Sequence, residues 1–196
     1  MEQNLTSTKD YSVIINPNSN ILSFNKLHNC TINNATIGSS EITDCFVSDG
    51  SKILHSYLTK SKVLNNAKIG VFSHLREGSL IGENVKIGNF VETKKCEIGN
   101  GSKVSHLTYV GDAVIGENVN VGCGVVFCNY NGKIKQQSVV GNNVFLGSNS
   151  NIIAPVTISD NSFVAAGSTI TNFVPKHCLA IARARQVNKE NYLKHV

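Results

Sequence analysis

The sequence predicts an all-β protein, a chain of short strands wound into a parallel β-helix. Three observations predict it. Aliphatic residues recur about every six positions, at Ile69, Leu75, Ile81 and Ile87, then Ile98, Val104, Val110, Ile115 and Val121, and again at Val140, Leu146, Ile152, Ile158, Val164 and Ile170. Glycine often follows them, as in Ile81-Gly82, Ile87-Gly88, Val110-Gly111 and Leu146-Gly147. Charged residues are only 16% of the chain, while Gly, Asn, Ser, Val and Ile abound, which suits strands and turns better than long helices. A six-residue period fits neither an amphipathic helix nor an alternating strand. It fits a coil with three flat sides, each side one short strand. The aliphatic residue points inward, and glycine makes the corner, where positive φ costs little.

The elements follow in order. The chain has 196 residues, enough for one sizeable core. Residues 1–20, "MEQNLTSTKDYSVIINPNSN", read as a polar N-terminal segment. They show no basic stretch leading into an apolar one, so no signal peptide is expected. No apolar run approaches a membrane span, so the expected location is the cytoplasm, with no membrane partner. The β-helix is predicted over 21–174. Its early part is looser, with steps of about five through Ile32, Ile37, Ile42, Val47, Ile53, Leu58 and Val63. "FCNYNGKIKQQS", residues 127–138, breaks the hexads with Asn-Tyr-Asn-Gly turn chemistry and two lysines. It reads as a loop leaving the scaffold, where function concentrates. Residues 175–196 form a basic tail, with a helical pattern at its end and Asn188 as a candidate cap.

Net charge is +5. The lysines and arginines are scattered along the chain, so no nucleic-acid patch is expected. A modest preference for phosphorylated small ligands fits better. Cys30, Cys45, Cys96, Cys123, Cys128 and Cys178 show no CxxC spacing. They read as free thiols in a reducing compartment, mostly buried as small hydrophobes.

Three hexads make one coil, so residues about 17 or 18 apart stack at the strand spacing of about 4.8 Å. Arg76 and Lys94 then share one corner, one coil apart. Two cations so close repel unless something anionic lies between them, which suggests a phosphate site. His106 stacks on Asn89 below and Cys123 above, and Tyr109 stacks on Glu92. His106 and Tyr109 fall at the two ends of one strand, about 10 Å apart. An imidazole can accept a proton near neutral pH, and Asn89 or Glu92 could orient its ring. None of the other histidines falls with His106 at a zinc-triad spacing, so no metal site is expected.

The hexads resemble those of the hexapeptide-repeat proteins, whose fold is a left-handed parallel β-helix and many of which are trimers. The run "GNFVETKKCEIGNGSKVSHLTYVGDAVIGENVNVG", then "CNYNGK", "VFLGSNSNIIAPVTI", "AAGSTIT" and "LAIARARQ", is more specific. It resembles the acetyltransferase half of the bacterial family of bifunctional N-acetylglucosamine-1-phosphate uridyltransferase/glucosamine-1-phosphate N-acetyltransferases. The resemblance is close over about 66–192 and weaker over about 30–65. It implies acetyl transfer from acetyl-coenzyme A to the 2-amino group of glucosamine 1-phosphate, a step toward UDP-N-acetylglucosamine and the cell wall.

The resemblance also implies the site residues. His106 falls on the general base. Arg76, Lys94, Tyr109 and Lys135 fall on the sugar-phosphate contacts. Asn120 and Asn129 fall on sugar contacts, with Tyr130 beside them. The backbone N–H of Cys123 falls where the thioester carbonyl is polarised. Ser148 and Ala166 fall along the pantetheine arm, and Arg183, supported by Lys189, on the coenzyme A phosphate. The family builds this site between the subunits of a homotrimer, so the loop and tail are expected to serve a neighbour. The uridyltransferase half and its nucleotide loop are not matched, so neither uridyltransferase activity nor its magnesium site is expected of this chain, and a separate uridyltransferase is a possible partner.

Three departures from the family stand out. Cys123 replaces Ala, Glu77 replaces Pro, and "NYNGKIK" lacks the Asp that commonly follows Tyr. Two other readings compete. One is a non-catalytic or partner-dependent subunit of a separate sugar nucleotidyltransferase. The other is an N-acetyltransferase for a different amino-sugar phosphate, since epimers differ by one hydroxyl.

Overall fold

The computed structural model describes residues 12–190 and 192. Its strands are short and pair in parallel, each with the strands one coil above and below, to form a left-handed parallel β-helix. The cross-section has three faces. The first runs through Ile14–Ile15, Thr31–Ile32, Phe46–Val47, Lys62–Val63 and Ser79–Ile81. The second runs through Asn20–Ile21, Thr36–Gly38, Lys52–Leu54 and Lys68–Ile69. The third runs through Lys26–His28, Glu41–Thr43, Tyr57–Thr59 and His74–Leu75. In the middle, Lys86–Ile98 and Lys103–Ile115 each run unbroken across all three faces and pair along their length.

The predicted inward residues are the core. Ile32, Ile37, Ile42, Val47, Ile53, Leu58 and Val63 are completely buried, and the later hexad residues are nearly so. A second inward set, Val85, Val91, Val119, Val125, Val144 and Val156, fills the space beside them. Each fully buried aliphatic side chain contributes roughly 1.5–3 kcal/mol. Thr93 takes one hexad position and is buried against the Ser79 hydroxyl at 2.9 Å. Buried serines near the corners satisfy backbone groups there. The Ser102 hydroxyl donates to the Gly116 carbonyl and accepts from the Val119 N–H.

The glycine expectation needs correcting. Most of the glycines that follow aliphatic residues, Gly82, Gly88, Gly111 and Gly147 among them, do not have positive φ; Gly70, after Ile69, does, at 112°. They are needed because the next coil lies too close for a side chain: a Cβ on Gly88 would stand 2.0 Å from the Ser105 carbonyl oxygen. Many of the left-handed corners are made instead by Asn34, Asn66, Asn84, Asn118, Asn143, Asn149 and Asn161, a residue type that tolerates this region.

The boundaries also move. Ile14–Ile15 and Asn20–Ile21 pair into the β-helix, so it begins within the segment read as a polar lead. Leu179–Ala180 pairs with Phe163–Val164, so the coil continues into the tail. Residues 181–189 carry no helix. Residues 191 and 193–196 of the helical expectation, and residues 1–11, lie outside the described residues. The insertion is shorter at both ends. Phe127 is 1% exposed and pairs with Ile152, and Ser138 is buried in the strand Ser138–Val140. Residues 129–137 alone leave the coil. Val114 therefore pairs with Val139, 25 residues on, where Glu97 paired with Val114 only 17 residues on.

No helix among the described residues is long and apolar enough to cross a membrane. Phe127→Ala should cost about 3–5 kcal/mol, as expected of a core aromatic, read by chemical denaturation. A cost under about 1 kcal/mol would return Phe127 to the loop.

Candidate functional site

The long strands bring the predicted anion-binding residues together on the third face. Leu75 pairs with Thr93 and Lys94 with Gly111, so Arg76 and Lys94 do stack one coil apart. Their repulsion is already relieved within the chain. The Arg76 guanidinium donates to Glu92 at 2.8 Å, and Lys94 Nζ lies 2.9 Å from Glu77. The two ion pairs run crosswise between coils, so the stacked cations alone do not require a bound anion. The Lys94 side chain is only 14% exposed, so it is the more sheltered of the two.

Tyr109 stacks on Glu92 as expected. Its ring lies across Gly111, where a Cβ would meet the phenol oxygen at 2.3 Å. The Asn129 amide, buried at the end of Val126–Cys128, is 3.4 Å from that oxygen and also donates to the Asp112 carboxylate. Arg76, Lys94, Tyr109 and Asn129 thus form one cluster. Asp112 is the member that reading by residue type missed; Glu77 figured there only as a departure from the family, and Glu92 only as stacked on Tyr109 and as a possible partner of His106. The usable signal was opposite charge, or amide and carboxylate, about one coil apart.

His106 pairs with Asn89 as expected, but it stands on the corner between the second and third faces. Leu107, with φ 47°, turns the chain there, so about 10 Å is an upper limit on its reach to Tyr109. The imidazole is exposed. Glu92 is committed to Arg76 and does not orient it.

The corner above His106 is a continuous column. Val104 pairs with Val121, Val121 with Leu146, and Leu146 with Val164. Two residues further along each strand, the column reads His106, Cys123, Ser148 and Ala166, about 14 Å at the strand spacing. Beside it the outer corner changes character. Phe72, Phe90 and Leu107 are bulky, 59%, 59% and 60% exposed, with the two phenylalanines stacked at 5.6 Å. The same position then becomes Gly124, Asn149 and Gly167. His106 stands where a bulky ridge gives way to a trough lined by small residues.

The remaining predicted residues are placed apart. Tyr130 and Lys135 bridge each other across a small hairpin. That hairpin is held by the Asn131 side chain, which accepts from the Lys133 and Ile134 N–H groups, and it presents Tyr130 and Ile134 to solvent. Asn120 lies on the second face, in register with Lys103. Arg183 and Lys189 are exposed in the tail, Arg183 with its Cδ above Gly167 at the end of the trough.

A family model for bacterial transferase hexapeptide repeats matches residues 137–172. The GlmU bifunctional protein of Shouchella clausii is 54% identical over 165 residues, 84% of this chain. That of Listeria monocytogenes serovar 1/2a is 51% identical over 164 residues, 78% of this chain. The chain is a homologue of GlmU carrying the hexapeptide repeat. It spans 36% of the length of each of these two relatives. Among solved structures, a Caulobacter crescentus perosamine N-acetyltransferase variant, in complex with CoA and GDP-perosamine, superposes with a TM-score of 0.53. It is 22% identical over 59% of this chain and 53% of its own, a likeness of fold.

Electrostatics sharpen the cluster. The hydrogen bond from Lys94 holds the Glu77 carboxyl below its ordinary value, and the Glu92 hydrogen bond pushes Arg76 further up. Burial, first of all, pushes the Cys30, Cys45 and Cys96 thiols up to about 11, so these three behave as core residues. Cys123, Cys128 and Cys178 are half-buried, and all six are free. No group of three or more His, Cys, Asp or Glu among the described residues is arranged to hold a metal ion.

A carboxyl whose value is lowered by folding stabilises the fold above its ordinary value, 4.5 for Glu77. That contribution is lost as pH falls through the lowered, folded value. Glu77→Gln should therefore melt below wild type at pH 7, and the difference should vanish on acidification. A difference that persists at pH 2 would sink the ion-pair account.

Proposed function

We propose that the chain transfers the acetyl group of acetyl-coenzyme A to the 2-amino group of glucosamine 1-phosphate. The single observation that carries this is the position of His106. It stands at the mouth of the small-residue trough, one corner turn from the Arg76, Lys94, Tyr109 and Asn129 cluster. The trough suits a thin, flexible arm such as pantetheine, running past Cys123, Ser148 and Ala166 toward Arg183 and Lys189. The cluster suits a sugar phosphate. Identity with GlmU over this region supports the reading.

In this reading the amine nitrogen attacks the thioester carbonyl carbon, and His106 takes the proton that the nitrogen sheds. The Cys123 N–H stabilises the charge developing on the carbonyl oxygen. The carbon–sulfur bond then breaks, the departing thiolate takes that proton from His106, and the coenzyme leaves as its thiol. Asp112 holds the Asn129 amide and so sets which way its carbonyl faces the sugar. Asn120, Tyr130 and Lys135 reach substrate only if a neighbour supplies them, as a homotrimer would. An acetyltransferase of the cytoplasm, with acetyl-coenzyme A as co-substrate and no metal in the transfer step, is the whole proposal. A uridyltransferase is a fitting consumer of the product.

Thiol release from acetyl-coenzyme A tests it, with glucosamine 1-phosphate against glucosamine and galactosamine 1-phosphate. Turnover should need the 1-phosphate and fall about a hundredfold or more in His106→Ala. A folded protein that binds coenzyme A yet turns over no amino sugar would favour the regulatory-subunit reading.

Glu77 should act on substrate affinity. The phosphate must compete with it for Lys94, and an exposed ion pair contributes about 0.2–1 kcal/mol. Glu77→Gln should then lower KM for the sugar phosphate by up to about fivefold with kcat little changed. A raised KM would mean that Glu77 positions Lys94 instead of opposing the phosphate.

A further inference from the structure

The lysines that look scattered along the chain are gathered by the fold. Lys52 pairs with Lys68, Lys68 with Lys86, and Lys86 with Lys103, so the four make one outward column on the second face. At the strand spacing the column is about 14 Å long. All four are exposed, and none has a carboxylate within 4 Å among the described residues. Lys26, Arg76, Lys94 and Lys176 each do. Like charges directly opposite on paired strands are destabilising, and here the arrangement repeats on successive coils. An anion lying along the column would remove that cost.

The flanks decide what shape of anion fits. On one side the corner carries Asp49, Glu83 and Glu117, with Asn65 and Asn100 donating to the two glutamates at 3.3 Å. A broad anionic surface, such as a bilayer or a duplex, would press on these carboxylates as well as on the lysines. On the other side Gly70, Gly88 and Ser105 lie beside Lys68, Lys86 and Lys103. The exposed rings on that side, Phe72 and Phe90, stand at the corner four residues past Lys68 and Lys86 and already stack on each other at 5.6 Å, so they offer no open row of faces in step with the lysines, as single-stranded nucleic acid would use. What remains is a narrow anion with its charges in single file.

We infer that this ladder docks an acidic stripe on an α-helix of a partner protein. Carboxylates three or four residues apart on a helix advance about 4.5–6 Å along its axis, which brackets the coil spacing of about 4.8 Å. Same-side residues of an extended acidic strand advance about 6.6 Å and fall out of step. The ladder ends at Lys103, three residues before His106 on the same strand; its test reads peptide binding alone, so the inference stands independently of the acetyl-transfer reading.

Fluorescence anisotropy with the full chain tests it. The probe is a labelled helical peptide with four Glu on one face. Its control has the same composition with the Glu spread around the helix. The striped peptide should bind at least about tenfold more tightly, and lose that advantage in K68E/K86E but not in K62E on the first face. Binding should weaken with added salt, because exposed charges are screened. Circular dichroism melts check that each variant is folded, and K68Q/K86Q replaces the reversal if that does not fold. Equal binding of the two peptides, no binding of either, or indifference to the ladder substitutions would overturn the inference. So would tighter ladder-dependent binding of an oligothymidine or of phosphatidylserine vesicles, which would reassign the face to nucleic acid or membrane.

Discussion

Every coil of this molecule hydrogen-bonds to the coil above and below in parallel register, and the rest of the structure depends on that stacking. A residue's nearest neighbours are the ones a coil away, at a fixed spacing of about 4.8 Å. Columns therefore replace pockets as the unit of organisation. The inward columns are aliphatic and form the core. The outward columns are where side chains must either agree with their neighbours or be compensated. The demand for close stacking also explains the glycines, which sit where the next coil's backbone leaves no room for a Cβ.

Charge shows both outcomes of stacking like on like. On the third face Arg76 and Lys94 stand one coil apart, and Glu92 and Glu77 cross between coils to neutralise them. That arrangement needs no bound anion to relieve the repulsion. On the second face Lys52, Lys68, Lys86 and Lys103 receive no such help. The same geometry thus yields a self-neutralised cluster and an unneutralised ladder, and the difference lies in which residues flank the column.

The insertion and the corner column give the candidate site its polarity along the axis. Below His106 the corner is filled by Phe72, Phe90 and Leu107; above it the corner falls away to Gly124, Asn149 and Gly167. The hairpin over 129–137 leaves the coil one level above, rooted by buried Phe127 and Asn129. Asn129 reaches back to Asp112 and Tyr109, so the root of the hairpin belongs to the cluster of Arg76, Lys94, Tyr109 and Asn129, while Tyr130 and Ile134 at its tip are exposed. The chain carries His106, the column of small residues above it and the cation cluster, while Tyr130 and Lys135 pair with each other across the hairpin.

The spacing of apolar residues by itself determined the fold and the core, because one inward aliphatic per side is a local requirement written at nearly constant intervals. It also placed Arg76 over Lys94 and His106 between Asn89 and Cys123, since a coil of nearly constant length fixes stacking by counting. Counting could not give the exact ends of the insertion, because Phe127 is aromatic where the hexads are aliphatic and only packing shows it buried. It could not show that Glu77 and Glu92 neutralise the stacked cations, or that Asp112 holds Asn129, because those contacts are diagonal between coils and depend on side-chain reach. The lysine ladder was within reach of counting, since Lys52, Lys68, Lys86 and Lys103 each precede an inward aliphatic; only the tertiary structure decided that no carboxylate among the described residues comes within ion-pair distance of them, because that depends on side-chain reach across the corner.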